Sequence, residues 1–253
     1  MKKLYLLLAL SCCALYGVTA GEFVPDSQAT SQDPEKIIER SLSYAKSHDT
    51  FVNVLFAEHE GEFVRLVKEG QTPKTLFIGC SDSRVTPEFI TAAKPGDLFV
   101  VRNAGNFVPV YDQNIAWDGI AASIEYAVKV LGVQDVIVCG HSHCGAIQAL
   151  FYDKNEMQSQ LPLCSKWLQF GDVAKRLTLV SLGDAPKADR YAAAERLSVV
   201  VQLEHLLTFP FVKQAVADKK LFLHGWHFDI EKGQITYYNP KTYQFLPLRD
   251  LLK

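Results

Sequence analysis

Two short segments about sixty residues apart carry the side chains that could do chemistry. The first, "CSDSR", places a thiol (Cys80), a carboxylate (Asp82) and a guanidinium (Arg84) within five residues. The second, "HSHC", adds an imidazole (His141) and another thiol (Cys144). Two cysteine sulfurs and one histidine nitrogen form a ligand set that suits tetrahedral zinc. The sequence therefore predicts one zinc ion per chain, bound by Cys80, His141 and Cys144.

The fourth position around this metal depends on Asp82 and Arg84. Structural zinc sites use four protein ligands, whereas catalytic sites use three and leave one position open. If Arg84 binds both oxygens of Asp82, the carboxylate is occupied and the metal keeps an open position. If the pair breaks, Asp82 can bind the metal instead. A purely structural zinc site would need no such pair, so the motif favours a catalytic site.

Each motif also has a simpler interpretation. A cysteine at the end of an apolar strand is usually a small buried hydrophobic residue, and a single H-x-x-C pattern has little specificity. The two motifs together, each after an apolar strand and one of them with Asp-x-Arg attached, are much less likely to occur by chance.

The pattern of apolar segments predicts how these motifs are positioned. Val/Ile/Leu-rich strands at 75–80, 97–102 and 135–140 are separated by helical segments, and two further strands are predicted at 221–226 and 234–239. This alternation predicts an α/β fold with a central, mostly parallel sheet flanked by helices. Ligands gather beyond the carboxyl ends of such strands. If strands 75–80 and 135–140 are neighbours, the three predicted ligands project into one crevice.

The chain divides into four predicted parts. Residues 1–20 are predicted to be a signal peptide, and 21–32 a polar linker. Residues 33–70 form a helical arm that begins with Asp33 as N-cap and Pro34 at the first helical position. Residues 71–253 form the zinc-binding α/β domain, which makes one domain together with the arm. A long helix is predicted at 185–207.

The first twenty residues have the features of an export signal. Two lysines precede a short apolar run, which ends in the small residues Val18-Thr19-Ala20. The run is short for a spanning helix, and Cys12 and Cys13 fit a lipid-attachment site poorly. We therefore expect Sec-type export, cleavage after Ala20, a periplasmic or secreted location and no stable membrane anchor. The formal net charge of −2 gives no reason to expect a nucleic-acid partner.

Four cysteines remain after removal of such a signal. Besides the two predicted ligands, Cys139 is predicted to lie in the strand core and Cys164 on a helix. A disulfide between these two is conceivable, but spacing alone does not establish it.

From about residue 34 to residue 245 the chain resembles the β-class carbonic anhydrases. The resemblance lies in "CSDSR" and "GHSHCGA" and in the flanking blocks "PGDLFVVRNAGNFVP", "AASIEYAVKVLG" and "LHGWHFDIEKGQI". It implies reversible hydration of CO2 to bicarbonate and a proton by a zinc hydroxide that the Asp82–Arg84 dyad orients. It also implies that Gln71 is the glutamine that hydrogen-bonds the substrate. The small CO2 pocket would be lined by Phe99, Ala104, Tyr126 and Gly145.

The resemblance further implies a homodimer or a higher even homo-oligomer. The pocket would then lie at the dimer interface, with some lining residues supplied by the partner, and the N-terminal arm would pack on that partner. Ala104 departs from the larger aliphatic residue often found at its position.

Two kinds of resting site occur in this family. In one, the aspartate pairs with arginine. In the other, it binds zinc at low pH, and a tryptophan three residues before the first cysteine helps to bind bicarbonate at a non-catalytic pocket. Phe77 stands at that position here, and Gln71 is retained. Both favour the open, plant-like kind, whereas Arg102 does not decide between them.

Some functional questions stay open at this level. The proton carrier could be a histidine, Tyr126 or buffer; the candidate histidines are His59, His143, His205, His224 and His227. The fold and zinc would also suit hydrolysis of CS2 or COS, which have the linear shape of CO2. A non-catalytic bicarbonate- or zinc-binding protein would not need Asp82, Arg84 or Gln71, and a thiol-redox enzyme is disfavoured by the absence of Cys-x-x-Cys.

Overall fold

The computed structural model describes residues 33–114 and 118–253. The predicted signal peptide at 1–20 and the predicted linker at 21–32 lie outside this part of the chain. The described residues belong to two compact units, which divide between Glu60 and Gly61.

The first unit begins as a helix with the predicted cap. The Asp33 side chain accepts hydrogen bonds from the amides of Glu35 and Lys36, at 3.0 and 3.4 Å. Helix α1 (Pro34–Thr50) follows, and then a π-helical segment, Phe51–Phe56. The predicted helix start at Asp33–Pro34 is therefore confirmed.

The second unit is built on a six-stranded sheet with the strand order β2-β1-β3-β4-β5-β6 among the described residues. Strands β1 to β4 pair in parallel, and β5 and β6 add antiparallel strands at one edge. The strands are β1 (Thr75–Cys80), β2 (Leu98–Asn103), β3 (Asp135–His141), β4 (Phe222–Asp229), β5 (Gln234–Asn239) and β6 (Gln244–Pro247). The predicted mostly parallel sheet is confirmed, and β6 was not predicted.

Helices surround this sheet, and several of them lie where none was predicted. They are α2 (Ala57–Glu69, which crosses the boundary between the units), α3 (Pro87–Thr91), α4 (Gly119–Glu125), α5 (Gly145–Ala149), α6 (Lys154–Gln160), α7 (Pro162–Leu168), α8 (Asp172–Leu182), α9 (Lys187–Leu206) and α10 (Pro210–Ala217). Helices α3, α5, α6, α8 and α10 were not predicted, whereas α7 contains Cys164, which was predicted to lie on a helix. The structure confirms the predicted long helix as α9. The helical segment predicted between the strands 97–102 and 135–140 is α4 followed by a π-helical turn, Tyr126–Leu131. Short 3₁₀ turns occur at Gln169–Gly171 and Leu248–Leu252.

Helix α9 lies unusually close to the middle of the sheet. A Cβ added to Gly140 of β3 or to Gly225 of β4 would stand 2.7 or 2.9 Å from the methyl groups of Val199 on α9. Glycine at these two positions therefore permits the close approach. As a result, the side chains of α9 reach the ends of β3 and β4, where the predicted site lies.

A membrane-spanning helix is not found in the described ranges, because no helix there combines the necessary length and apolar character.

Candidate metal centre and active site

The predicted crevice forms because β1 and β3 are parallel neighbours. Gly79 is in register with Cys139, so Cys80 and His141 leave the same edge of the sheet. Cys144 follows on the loop after β3 and is the N-cap of α5. The two Sγ atoms and a ring nitrogen of His141 all lie within 4.8 Å of one another, and all three residues are buried.

The geometry of this cluster fits a tetrahedral metal ion. The two sulfurs are 4.0 Å apart, too far for a disulfide, which needs about 2.05 Å. Two thiolates at about 2.3 Å from one tetrahedral ion would stand about 3.8 Å apart. His141 Nδ1 donates to the Ser142 carbonyl at 2.9 Å. Nε2 is therefore the nitrogen with a free lone pair, and it is buried without a hydrogen-bond partner.

The electrostatics of the two thiols favour a shared cation. A hydrogen bond from Cys144 lowers the pKa of Cys80 to about 4 although burial opposes ionisation, while the same contact and burial raise the pKa of Cys144. The amides of Asp82 and Gly105 also donate to Cys80 Sγ, each at 3.4 Å. Two adjacent buried thiols do not both ionise unless a positive charge compensates them.

Asp82 is held by Arg84 through three hydrogen bonds. The guanidinium donates from Nε to Oδ1 at 2.9 Å and from Nη2 to Oδ2 at 2.8 Å, and the Arg84 amide donates to Oδ1 at 3.0 Å. These bonds lower the pKa of Asp82 well below its usual range. Asp82 does not belong to the three-residue cluster. The carboxylate therefore has the arrangement of the open kind of site.

Arg84 also connects the two motifs. Its Nη2 donates to the carbonyl of His143 at 3.3 Å. His143 has a left-handed backbone, with φ of +59°. The loop that carries His141 and Cys144 is thus tied to the Asp82–Arg84 pair.

Arg102 has a positioning role that sequence reasoning missed. Its guanidinium donates to the carbonyl of Cys80 at 2.9 Å and to the carbonyl of Asp82 at 2.7 Å. Arg102 is in register with Gly79 on the neighbouring strand β2, so its side chain reaches the backbone that follows β1. Only the strand order reveals this contact, because nothing in the local sequence of Arg102 indicates it.

The predicted substrate residues fall into two groups. Ala104 and Gly145 are near the cluster: Ala104 precedes Gly105, whose amide contacts Cys80, and Gly145 follows Cys144. A Cβ added to Gly145 would meet no atom within 4 Å, so the space beside it is open.

The other three substrate residues are not brought to the cluster of the same chain. The rings of Phe99 and Tyr126 are 5.9 Å apart, but Phe99 is in register with Leu76. Leu76 lies four residues before Cys80, about 13 Å along the strand. Gln71 precedes the start of β1, at the opposite end of the strand.

Most candidate proton carriers have their own partners. His227 contacts buried Glu195, His224 contacts Asp135, and His205 contacts the Val108 carbonyl. His143, in the ligand loop, is exposed with Nε2 3.3 Å from Glu231 Oε1.

Cys139 and Cys164 are free thiols, the first buried and the second exposed. The conceivable disulfide between them is therefore absent.

Comparison with known proteins agrees with this site. Residues 75–235 match the family model described as carbonic anhydrase. A carbonic anhydrase of Pseudomonas aeruginosa is 44% identical over 180 residues, which cover 71% of this chain and 80% of that protein. Carbonic anhydrase 1 of Escherichia coli O157:H7 is 42% identical over 198 residues, covering 78% and 88%.

Solved structures give the same result. The β-carbonic anhydrase CcaA superposes with a TM-score of 0.78 at 37% identity, covering 82% of this chain and 99% of that one. A tetrameric β-carbonic anhydrase of Sordaria macrospora superposes with a TM-score of 0.68 at 30% identity, covering 78% and 96%. The chain belongs to the β-class carbonic anhydrase family, and its activity is that of a carbonic anhydrase.

Proposed function

We propose that the chain catalyses zinc-dependent, reversible hydration of CO2, with Cys80, His141 and Cys144 as the metal ligands. The observation that carries this proposal is the buried cluster of two sulfurs and one unpartnered imidazole nitrogen, beside a carboxylate that is already bound by arginine. Zinc held by such a set would supply Lewis acidity that lowers the pKa of water to about 7, as in the carbonic anhydrases whose zinc has three histidine ligands, so that hydroxide is available at neutral pH.

Asp82 and Arg84 supply the orientation in this proposal. Asp82 would accept a hydrogen bond from the attacking hydroxide and so direct an oxygen lone pair at CO2. Arg84 fixes both carboxylate oxygens, and the low pKa of Asp82 keeps it ionised at neutral pH. Because Arg84 occupies these oxygens, Asp82 stays off the metal. We assign the site to the open kind for this reason, with Phe77 and Gln71 as the supporting residues.

A second copy of the chain would complete the substrate pocket. Gln71, Phe99 and Tyr126 lie far from the cluster of their own chain, so the proposed CO2 pocket needs these side chains from a partner. In it, Phe99 and Tyr126 would supply apolar contacts and Gln71 would donate to the developing bicarbonate oxygen. We therefore propose an even homo-oligomer. Exposed apolar residues of the arm, such as Ile38 and Leu42, support its packing on the partner.

We further propose that the chain is exported and acts in the periplasm or outside the cell. The support is the sequence of residues 1–20 alone. N-terminal sequencing of protein recovered from a cell fraction tests this, and an intact Met1 in the cytoplasmic fraction would refute it.

Stopped-flow hydration of CO2 by the zinc-loaded protein, from about pH 6.5 to 9, tests the central proposal. We expect activity that persists near neutrality. Activity that collapses steeply below about pH 8 would mean that Asp82 closes onto the metal. No activity at any pH with zinc bound would refute CO2 hydration, and turnover of CS2 or COS by the same sample would then identify a hydrolase.

Sedimentation of the same sample tests the proposed assembly. We expect an even oligomer, and a fully active monomer would refute the completion of the pocket by a second copy.

A further inference from the structure

A buried carboxylate that the proposed mechanism does not use lies directly behind one of the metal ligands. Glu195, on α9, is 4% exposed. Its Oε1 accepts a hydrogen bond from the backbone amide of Cys144 at 3.2 Å. Its Oε2 lies 3.3 Å from Nε2 of His227, which is 2% exposed on β4.

Packing alone does not explain a carboxylate at this position. Burial of a carboxylate is costly unless it is paired and hydrogen-bonded. The neighbouring sheet-facing residues of α9, Val199 and Leu203, are apolar and belong to the hydrophobic core. Gln202 on the same helix accepts the Val108 amide with an uncharged side chain. The buried carboxylate of Glu195 therefore lies where α9 meets the loop that carries His141 and Cys144.

Glu195 and α5 together fix the backbone of Cys144 from both sides. Glu195 binds the amide of Cys144, while the carbonyl of Cys144 accepts from the Gln148 amide at 3.0 Å. With the peptide groups on both sides held, the Cα–Cβ bond of Cys144 has a fixed direction. The Sγ atom is then held 4.0 Å from that of Cys80, close to the separation that one tetrahedral ion requires.

We propose that Glu195, itself held by His227, is a positioning residue for the metal ligand Cys144. It touches neither substrate nor the reacting atoms, and it acts by preorganising the thiol before metal binds. This inference rests on the proposed function, because it requires a metal on Cys144. Residues that orient ligands in this way typically change metal affinity or activity 10- to 100-fold when replaced.

The experiment compares Glu195→Ala, Glu195→Gln and Gln202→Ala with the parent protein. Each is titrated with zinc against a chelator, and the absorption spectrum of the cobalt(II) form is recorded as a measure of ligand geometry. We expect Glu195→Ala to weaken zinc binding at least tenfold and to alter the cobalt spectrum. Glu195→Gln keeps an oxygen acceptor for the Cys144 amide, so its affinity should stay within about threefold of the parent.

Gln202→Ala is the matched control. It removes a buried acceptor of a backbone amide from the same helix, seven residues and about 10.5 Å farther along. We expect it to lower the melting temperature as Glu195→Ala does, while zinc affinity and the cobalt spectrum stay at parent values. If Glu195→Ala yields no folded protein, Glu195→Asp withdraws the carboxylate by one methylene and should show the same two changes.

Three results would overturn the inference. The first is a Glu195→Ala variant (or the Glu195→Asp variant that replaces it) with the zinc affinity and cobalt spectrum of the parent. The second is a Gln202→Ala variant whose zinc affinity and cobalt spectrum change as much as those of Glu195→Ala. The third is a Glu195→Gln variant that binds zinc as weakly as Glu195→Ala. Failure of the parent protein itself to bind zinc or cobalt would instead refute the proposed function, so the two failures are distinguishable.

Discussion

Replacement of Arg84 by lysine tests whether the two guanidinium donors that hold Asp82 are needed to orient the attacking hydroxide. The guanidinium supplies two parallel donors to the two carboxylate oxygens, at 2.9 and 2.8 Å. Lysine keeps the positive charge but has no planar fork, so it leaves the carboxylate free to rotate. The contact with the His143 carbonyl is also lost.

The size of the effect follows from what remains after the substitution. The Arg102 guanidinium still holds the Asp82 carbonyl at 2.7 Å, and the amide of residue 84 still donates to Oδ1. The Arg102 contact keeps the backbone of Asp82 in place, whereas the carboxylate keeps only the amide bond at Oδ1 and can rotate about it. A displacement of about 1 Å at a reacting group costs about 100-fold. We expect kcat/KM for CO2 hydration to fall by roughly that factor.

The pH dependence has a definite sign. Arg84 lowers the pKa of Asp82 in the folded protein, so the pair stabilises the fold above the ordinary carboxyl pKa of about 3.9, and this stabilisation is lost as pH falls through the lowered value. Between pH 6.5 and 9 the carboxylate stays ionised in the parent, so titration of Asp82 off Arg84 does not limit activity there. The lysine variant should therefore lose activity across that whole range.

The assay is stopped-flow hydration with zinc content measured on the same samples. Arg65→Lys is the matched control, because Arg65 pairs with Glu69 on the surface of α2, and it should leave kcat/KM unchanged. An Arg84→Lys variant that binds zinc and keeps the parent kcat/KM would refute the assigned role of the fork.

Further predictions concern the backbone and the metal. Gly105→Ala, at φ +86° and with Phe107 ring atoms 2.8 Å from the added Cβ, should lower the free energy of unfolding by about 2–4 kcal/mol. Gly70→Ala, at φ +81° but with open space around the added Cβ, should lower the free energy of unfolding by only about 1 kcal/mol. Equal denaturant midpoints for the two variants would contradict the clash with Phe107. His143→Gly should raise the free energy of unfolding by roughly 0.5–1 kcal/mol. The free energy gained by removing the strain of a left-handed backbone exceeds the cost of a more flexible unfolded chain. A lower denaturant midpoint than that of the parent would contradict this. Removal of metal with a chelator should abolish activity and lower the melting temperature. Both should recover when zinc is added but not when magnesium is added, because thiolate ligands select zinc. Full activity without metal would refute the metal site.

The sequence by itself determined the chemistry that the site can perform. The ligand types, the spacing of Asp82 and Arg84, and the apolar runs of β1 and β3 are all local features. Local features depend on residues near in sequence, so the periodicity of side chains and the chemistry of caps and ligands were enough to predict them. The start of α1 at Asp33 was predictable for the same reason.

The tertiary structure decided which of these features meet. The order β2-β1-β3-β4 places Cys80 beside His141, brings Arg102 to the backbone around Asp82, and separates Phe99 from the cluster by about 13 Å of strand. Glu195 reaches Cys144 only because Gly140 and Gly225 let α9 approach the sheet. Strand order and helix approach arise from contacts between residues far apart in the chain, and no local pattern encodes such contacts.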